Sequence, residues 1–231
     1  MTVNRKFIKN TLLALGAIIL ANCSAVGLKS SGAGFLSSNL WINSFSKVIF
    51  GYPDYPISRE MVENIPYASL RIKIGKGPAG LMILQKIEGN TLSWISRDEV
   101  LIQTKNGRIV RTSKLNNDLS DYYYDTDPEF IEILEEKKIK SQRVISLTNP
   151  KASHIELQVT SSTKDKKETI EILGNEYELI KISEKIHNRL IKWKYTNTYW
   201  VDSEGFVWKT IQQIAPNVPP IVIEVTKPYS A

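Results

Sequence analysis

The chain has 231 residues, with 30 Lys+Arg against 24 Asp+Glu, one Cys, two His, 42% apolar residues and 23% charged ones. That length and apolar content bury a real core, which excludes a disordered, collagen-like, coiled-coil or polytopic membrane protein. One Cys rules out an internal disulfide framework, and one Cys with two His rules out a zinc centre built from several thiolate or imidazole ligands.

In chain order, Arg5, Lys6 and Lys9 precede an unbroken run of apolar and small residues from Thr11 to Ala21. This is the pattern of an export signal, and the run is shorter than the roughly 20 residues that span a bilayer. Leu20-Ala21-Asn22-Cys23 follows at once and resembles the bacterial lipobox, whose cysteine is acylated and becomes the first residue of the mature protein. Asn22 departs from the Gly, Ala or Ser usual before that cysteine. A lone thiol behind an export segment has no disulfide or packing role that its position explains, whereas acylation explains it directly. Ser24 stands where lipoproteins of the inner membrane often carry Asp, which points to the outer membrane. Loss of residues 1–22 removes three cations and no anion, lowering the formal charge from +6 to +3. So mild a charge, without basic stretches interleaved with aromatics, excludes nucleic acid as a partner.

Residues 23–38 are rich in Gly and Ser and read as a flexible tether, leaving 39–231 as a single β-rich domain. Leu40, Trp41, Phe45, Val48 and Ile49 predict a short helix that Gly51, Pro53 and Pro56 stop. The period then changes to strict alternation over 67–75, and strand-like segments follow at 79–87, 91–96, 99–104 and 108–115. Asn106-Gly107 between the last two is a hairpin turn, because a type I′ turn needs positive φ at both central residues. Residues 118–127 read as a polar loop carrying Tyr122, Tyr123 and Tyr124, followed by a helix capped by Asp127 with Pro128 in its first turn. Strands resume at 143–148, 153–161, 168–173, 176–186, 189–201, 205–214 and 220–226. The predicted fold is mainly β: one antiparallel meander forming a curved sheet or an open barrel or sandwich, with one or two short helices.

The lipobox, Tyr67-Ala68-Ser69-Leu70 with Gly75, Trp94 and its hairpins, Asn197-Thr198-Tyr199-Trp200-Val201-Asp202 and Gly205-Phe206-Val207-Trp208-Lys209 together carry a family resemblance. The chain resembles the group 4 capsule polysaccharide lipoproteins, the YjbF/GfcB-like family, from about Phe45 to Lys227-Pro228. The resemblance implies a mostly β lipoprotein of the outer membrane, facing the periplasm and encoded with other exopolysaccharide or capsule secretion proteins. It brings no catalytic residue and no cofactor, and Cys23 alone transfers as a functional position.

The residues themselves mark no reaction centre. His154 and His187 sit in strand contexts without a nucleophile elbow and read as structural or surface histidines. Asp118, Asp121, Asp125, Asp127 and Glu129 lack the ligand order and turn glycine of a calcium loop and read as a solvated loop with a helix cap. Gly75 to Gly80 carries no phosphate-binding pattern and reads as a turn. In the strand ending at Trp200, alternation sends Trp193, Tyr195 and Tyr199 to the core and Trp200 to a more polar face. Trp200 and Tyr123 are therefore the candidate glycan contacts. The expected function is non-enzymatic assistance to polysaccharide export or assembly from a lipid anchor, through the polymer or the outer-membrane export proteins. Two alternatives stay open: a carrier that holds an amphiphile in an apolar concave face, and a polysaccharide-modifying enzyme with two carboxylates across an open cleft.

Overall fold

Alternation of inward apolar and outward polar side chains organises most of the chain. The computed structural model describes residues 54–124, 127–149 and 151–229; the expected signal segment, Cys23, the tether and the first helix lie outside them. The described residues belong to one unit with two short helices, α1 (Arg59–Glu63) and α2 (Phe130–Glu136). Its first half holds β1 (Ser69–Ile74), β2 (Ala79–Glu88), β3 (Thr91–Ser96), β4 (Leu101–Lys105), β5 (Arg108–Ser113) and β6 (Leu119–Tyr124). After α2 come β7 (Lys138–Thr148), β8 (Lys151–Ile172), β9 (Asn175–Asn188), β10 (Trp193–Val201), β11 (Val207–Gln212) and β12 (Ile221–Lys227).

All twelve strands form one antiparallel sheet in the order β5-β4-β3-β2-β1-β12-β11-β10-β9-β8-β7-β6. Chain neighbours pair except β5 with β6, and β1 also pairs with β12, so the meander curls into a nearly closed barrel whose open seam lies between β5 and β6. Side chains bridge that seam. Leu119 N donates to Thr112 Oγ1 at 2.9 Å, and the same hydroxyl donates to Asp118 Oδ1 at 2.9 Å. Register shifts in several pairs, including Leu84/Lys86, Gln103/Thr104 and Trp200/Val201, supply the bends that closure needs.

The mainly β fold expected from alternation is the fold observed, with three local corrections. Residues 119–124 are strand β6 and not loop. The segments read separately at 153–161 and 168–173 are one strand, β8, interrupted by a register shift between Thr163 and Lys167. Helix α2 starts later than expected: Glu129 is its N-cap, its backbone N–H bonded to Glu132 Oε2 at 3.1 Å, while Asp127 turns its carboxylate into the barrel.

Two apolar clusters fill the interior. The larger contains Leu70, Met82, Trp94, Ile102, Ile145, Leu157, Ile186, Trp193 and Ile221. In the smaller, Phe130, Ile133 and Leu134 of α2 pack on Ile182, Tyr199, Val201 and Val207, each such burial stabilising by roughly 1.5–3 kcal/mol. A charged group is buried beside them. Glu184 is 0% exposed and accepts from Arg108 Nε at 2.9 Å, Arg143 Nη1 at 2.8 Å and Nη2 at 2.6 Å. Asp127 balances the second guanidinium, 2.9 Å from Arg143 Nη2.

Candidate functional site

A cavity of about 430 Å³ opens inside the barrel, where α2 and the β10–β11 turn approach the inner faces of β1, β3 and β12. Leu70, Leu92, Ile223 and Val225 form its aliphatic wall, Phe130 and Ile131 of α2 bound it opposite, and Phe206 and Val207 close the side. Polar groups line it as well: Asn90 from the β2–β3 turn, Asn106 from the β4–β5 turn, Glu129 from the start of α2 and Glu204 from the β10–β11 turn. The volume lies within the range of small-ligand sites, and the mixture of an apolar wall with a few polar groups is what such sites use.

Two glycines shape this cavity. Gly107 has φ +75° and any Cβ there would lie 2.6 Å from Val207 Cβ, so the hairpin can approach β11 only without a side chain. Gly205, at φ +84°, brings the β10–β11 turn against the backbone of Ile131. The turn itself is built by Asp202, whose Oδ1 accepts from Glu204 N at 3.0 Å and Phe206 N at 2.9 Å. Asp202 Oδ2 accepts from Trp208 Nε1 at 3.0 Å.

The motif from Asn197 to Asp202 is thus occupied in holding the barrel together. Asn197 Oδ1 accepts from Gln213 N at 2.9 Å, and the Tyr199 hydroxyl lies 3.0 Å from Glu184 Oε2. Trp200 is 7% exposed, its indole N–H donates to Glu168 Oε2 at 2.8 Å, and Lys181 and Lys209 lie over its ring. The placement of Trp200 on the outer, more polar face follows the alternation. Yet the distal part of the β8–β9 hairpin brings Glu168 onto it, and no ring face is left for a sugar. That hairpin is pinned by Arg59, which donates to Ile172 O at 2.8 Å and to Thr226 O at 3.2 Å, and by Tyr177, whose ring centroid is 4.4 Å from that of Trp208. Tyr123 is different: it is 60% exposed on β6, on the outer side of the sheet. Trp193 and Tyr199 are buried as alternation requires, and Tyr195 is half-buried.

The buried charged group is a structural centre. Burial alone would raise the Glu184 carboxyl, but the charges of Arg108 and Arg143 and their hydrogen bonds outweigh it and hold the group well below the usual carboxylate range. Burial pushes the Tyr199 hydroxyl up, and the neighbouring Glu184 charge adds to that. Arg108 Nη2 is 2.9 Å from Glu184 Oε1 but off the line of a hydrogen bond, and the guanidinium lies over the Phe130 ring at 4.1 Å. A carboxylate so enclosed and so firmly ionised is a poor proton donor or acceptor near neutral pH. Among the described residues no three His, Cys, Asp or Glu side chains converge as a metal site, and no helix is long and apolar enough to cross a membrane.

Sequence reasoning offered an apolar concave face only as an alternative and named none of its lining residues, and it missed the charged centre. The signal for the second was present: Glu184 falls between Ile182 and Ile186 on an apolar strand face, where a carboxylate demands a buried cation.

Comparison with known proteins gives one coherent result. A family model described as group 4 capsule polysaccharide lipoprotein gfcB, YjbF matches residues 42–226. The uncharacterized lipoprotein GfcB of Escherichia coli K12 is 24% identical over 220 residues, covering 94% of this chain and 97% of that one. The uncharacterized lipoprotein YjbF of the same strain is 23% identical over 228 residues, covering 95% and 98%. The crystal structure of the hypothetical lipoprotein YmcC, also from E. coli K12, superposes with a TM-score of 0.66 at 23% identity, over 89% of this chain and 100% of that one. This last likeness supports the barrel fold alone.

Proposed function

Because the chain belongs to the group 4 capsule polysaccharide lipoprotein family, we propose that it is a non-enzymatic lipoprotein assisting the export or assembly of a capsule or exopolysaccharide. It is held by acyl chains on Cys23 at the outer membrane, facing the periplasm, and it works by contacting the polymer or the export proteins. The observation that carries this reading is the family match across 42–226. The lipobox-like Leu20-Ala21-Asn22-Cys23 supports the anchor, and several acyl chains on one residue hold a protein far more firmly than one. The test is secreted and cell-associated polysaccharide in a deletion strain complemented by wild type or Cys23→Ser. Secretion lost on deletion and restored only by the form with Cys23 is expected; polymer unchanged under inducing conditions overturns the reading.

The cavity favours a second reading, an amphiphile carrier. Its wall of Leu70, Leu92, Ile223 and Val225 suits an aliphatic chain, and Asn90, Asn106, Glu129 and Glu204 suit a polar head. Saturable binding of a fluorescent acyl probe, competed by unlabelled fatty acid, is its expected signature; absence of saturable binding removes it.

A further inference from the structure

The outer face of β7 to β10 is a basic surface that no single segment of sequence displays. The pairing register puts Lys140 of β7 beside Thr160 of β8, Thr160 beside Lys185 of β9, and Lys185 beside Thr196 of β10. One step along, Lys138, Ser162, Ser183 and Thr198 align in the same way, and one step back Gln142, Gln158, His187 and Lys194 align. Lys164, Lys166 and Lys167 project from the register shift that interrupts β8, all exposed. Strands lie about 4.8 Å apart, so Lys140 and Lys185 stand roughly 10 Å from one another with only a threonine between them.

Part of the charge is paired on both walls of the barrel: Arg71 and Lys73 meet Asp54, Lys86 meets Glu88 and Lys114 meets Glu99 on the far side, while here Lys137 meets Asp165 and Lys181 meets Glu168 toward the distal end of β8. Lys138, Lys140, Lys185 and Lys194 have no carboxylate partner among the described residues; the side chains between them are hydroxyls, amides and His187, and the one acid beside these rows, Glu156, lies at the margin, paired with Val144. Cations left unneutralised on a folded surface that bears a modest overall charge concentrate the field on one face. Tyr123 stands at the margin of that face, paired with Val144 of β7 and 60% exposed.

We propose that this face binds an acidic polysaccharide running across strands β7 to β10. The lysines take carboxylates of successive sugars, the Ser, Thr and Gln side chains between them exchange hydrogen bonds with sugar hydroxyls, and Tyr123 offers its ring to the apolar side of a pyranose. Short side chains between the lysines let a polymer lie close to the sheet, and the exposed aromatic at the margin favours sugar over phospholipid headgroups. The inference deepens the export reading above by naming the chemical class of the polymer, and it rests on that reading only for the polymer's presence in the compartment.

The test uses the full mature chain carrying Cys23→Ser, so that no acyl group confounds partition, over immobilised polygalacturonate and over neutral dextran. Wild-type residues on the face bind polygalacturonate and not dextran, with affinity that falls steeply as salt rises. The triple variant K140Q/K185Q/K194Q loses about tenfold or more in affinity at low salt, K140R/K185R/K194R keeps it, and Tyr123→Ala weakens binding without changing its salt dependence. Equal binding to dextran, or an unchanged affinity in the glutamine variant at an unchanged urea midpoint, overturns the proposal. So does binding to phosphatidylglycerol vesicles in the absence of any binding to polygalacturonate, which would make the face a membrane contact. A deletion strain that still loses secreted polymer while polygalacturonate fails to bind would leave the export reading standing and remove this inference alone.

Discussion

Glu184 holds two guanidinium groups that come from strands on opposite sides of the seam, Arg108 on β5 and Arg143 on β7. Replacing it by Gln removes the charge and leaves both cations facing only Asp127 in a buried site, so Glu184→Gln is expected to cost about 3–5 kcal/mol. The urea midpoint at neutral pH measures it. The pH dependence has a definite sign. In the unfolded chain the carboxyl titrates near its ordinary value of about 4.3, and in the folded chain far below it, so the unfolded state binds more protons in the acid range. Its contribution is complete above the unfolded value and is lost as pH falls toward the folded one. The wild-type midpoint should therefore drop between about pH 5 and pH 3, and Glu184→Gln should show a shallower drop over the same window. Parallel slopes would mean that other carboxylates carry the acid sensitivity.

Between the strands of the β5–β6 seam, one hydroxyl stands in for a missing backbone partner. Thr112 Oγ1 accepts from Leu119 N where a neighbouring strand would have offered a carbonyl, and donates to Asp118. Thr112→Val keeps the shape but leaves a buried N–H unpaired, which costs about 1–3 kcal/mol and should speed hydrogen exchange at Leu119 far more than in β2 or β9. Gly107→Ala, which drives a methyl into Val207, should cost about 1–3 kcal/mol and narrow the cavity, read as a lower thermal midpoint. The same elements show what alternation discloses. Strands such as β3 and β5 were legible because each has one apolar face and a turn signal beside it, Asn106-Gly107 most clearly. Strand β6 was not, since Ser120-Asp121 and three successive tyrosines carry no apolar and polar alternation. Strand β8 was read as two because Lys164 to Lys167 breaks the pattern at its register shift. Helix α2 was visible in Phe130, Ile133 and Leu134. Its cap was misplaced because Asp127 looks like an N-cap in sequence, and only the fold supplies Arg143 as its partner.

At the scale of the molecule, the barrel separates an inner cavity from an outer basic face, and neither was legible because both are assembled by register. The cavity draws on the turns and strands that contribute Leu70, Leu92, Phe130, Phe206 and Ile223, far apart in sequence, and the lysines of β7 to β10 look like ordinary solvent-side residues until pairing sets them side by side. The two sites share no residue, and substitutions so separated should act independently. Leu92→Trp tests this. Leu92 is half-buried on β3 and faces the cavity, so a larger ring there occupies space that is empty and keeps stability within about 1–3 kcal/mol of wild type. It should weaken an acyl probe by about tenfold or more and leave polygalacturonate binding unchanged, while K140Q/K185Q/K194Q does the reverse, both read by equilibrium titration. Complementing the deletion strain with each variant then assigns the secretion phenotype: loss with Leu92→Trp alone places the limiting step in the cavity, and loss with the lysine variant alone places it on the outer face. If Leu92→Trp leaves the probe affinity intact, the probe is not seated in the barrel and the carrier reading falls with it.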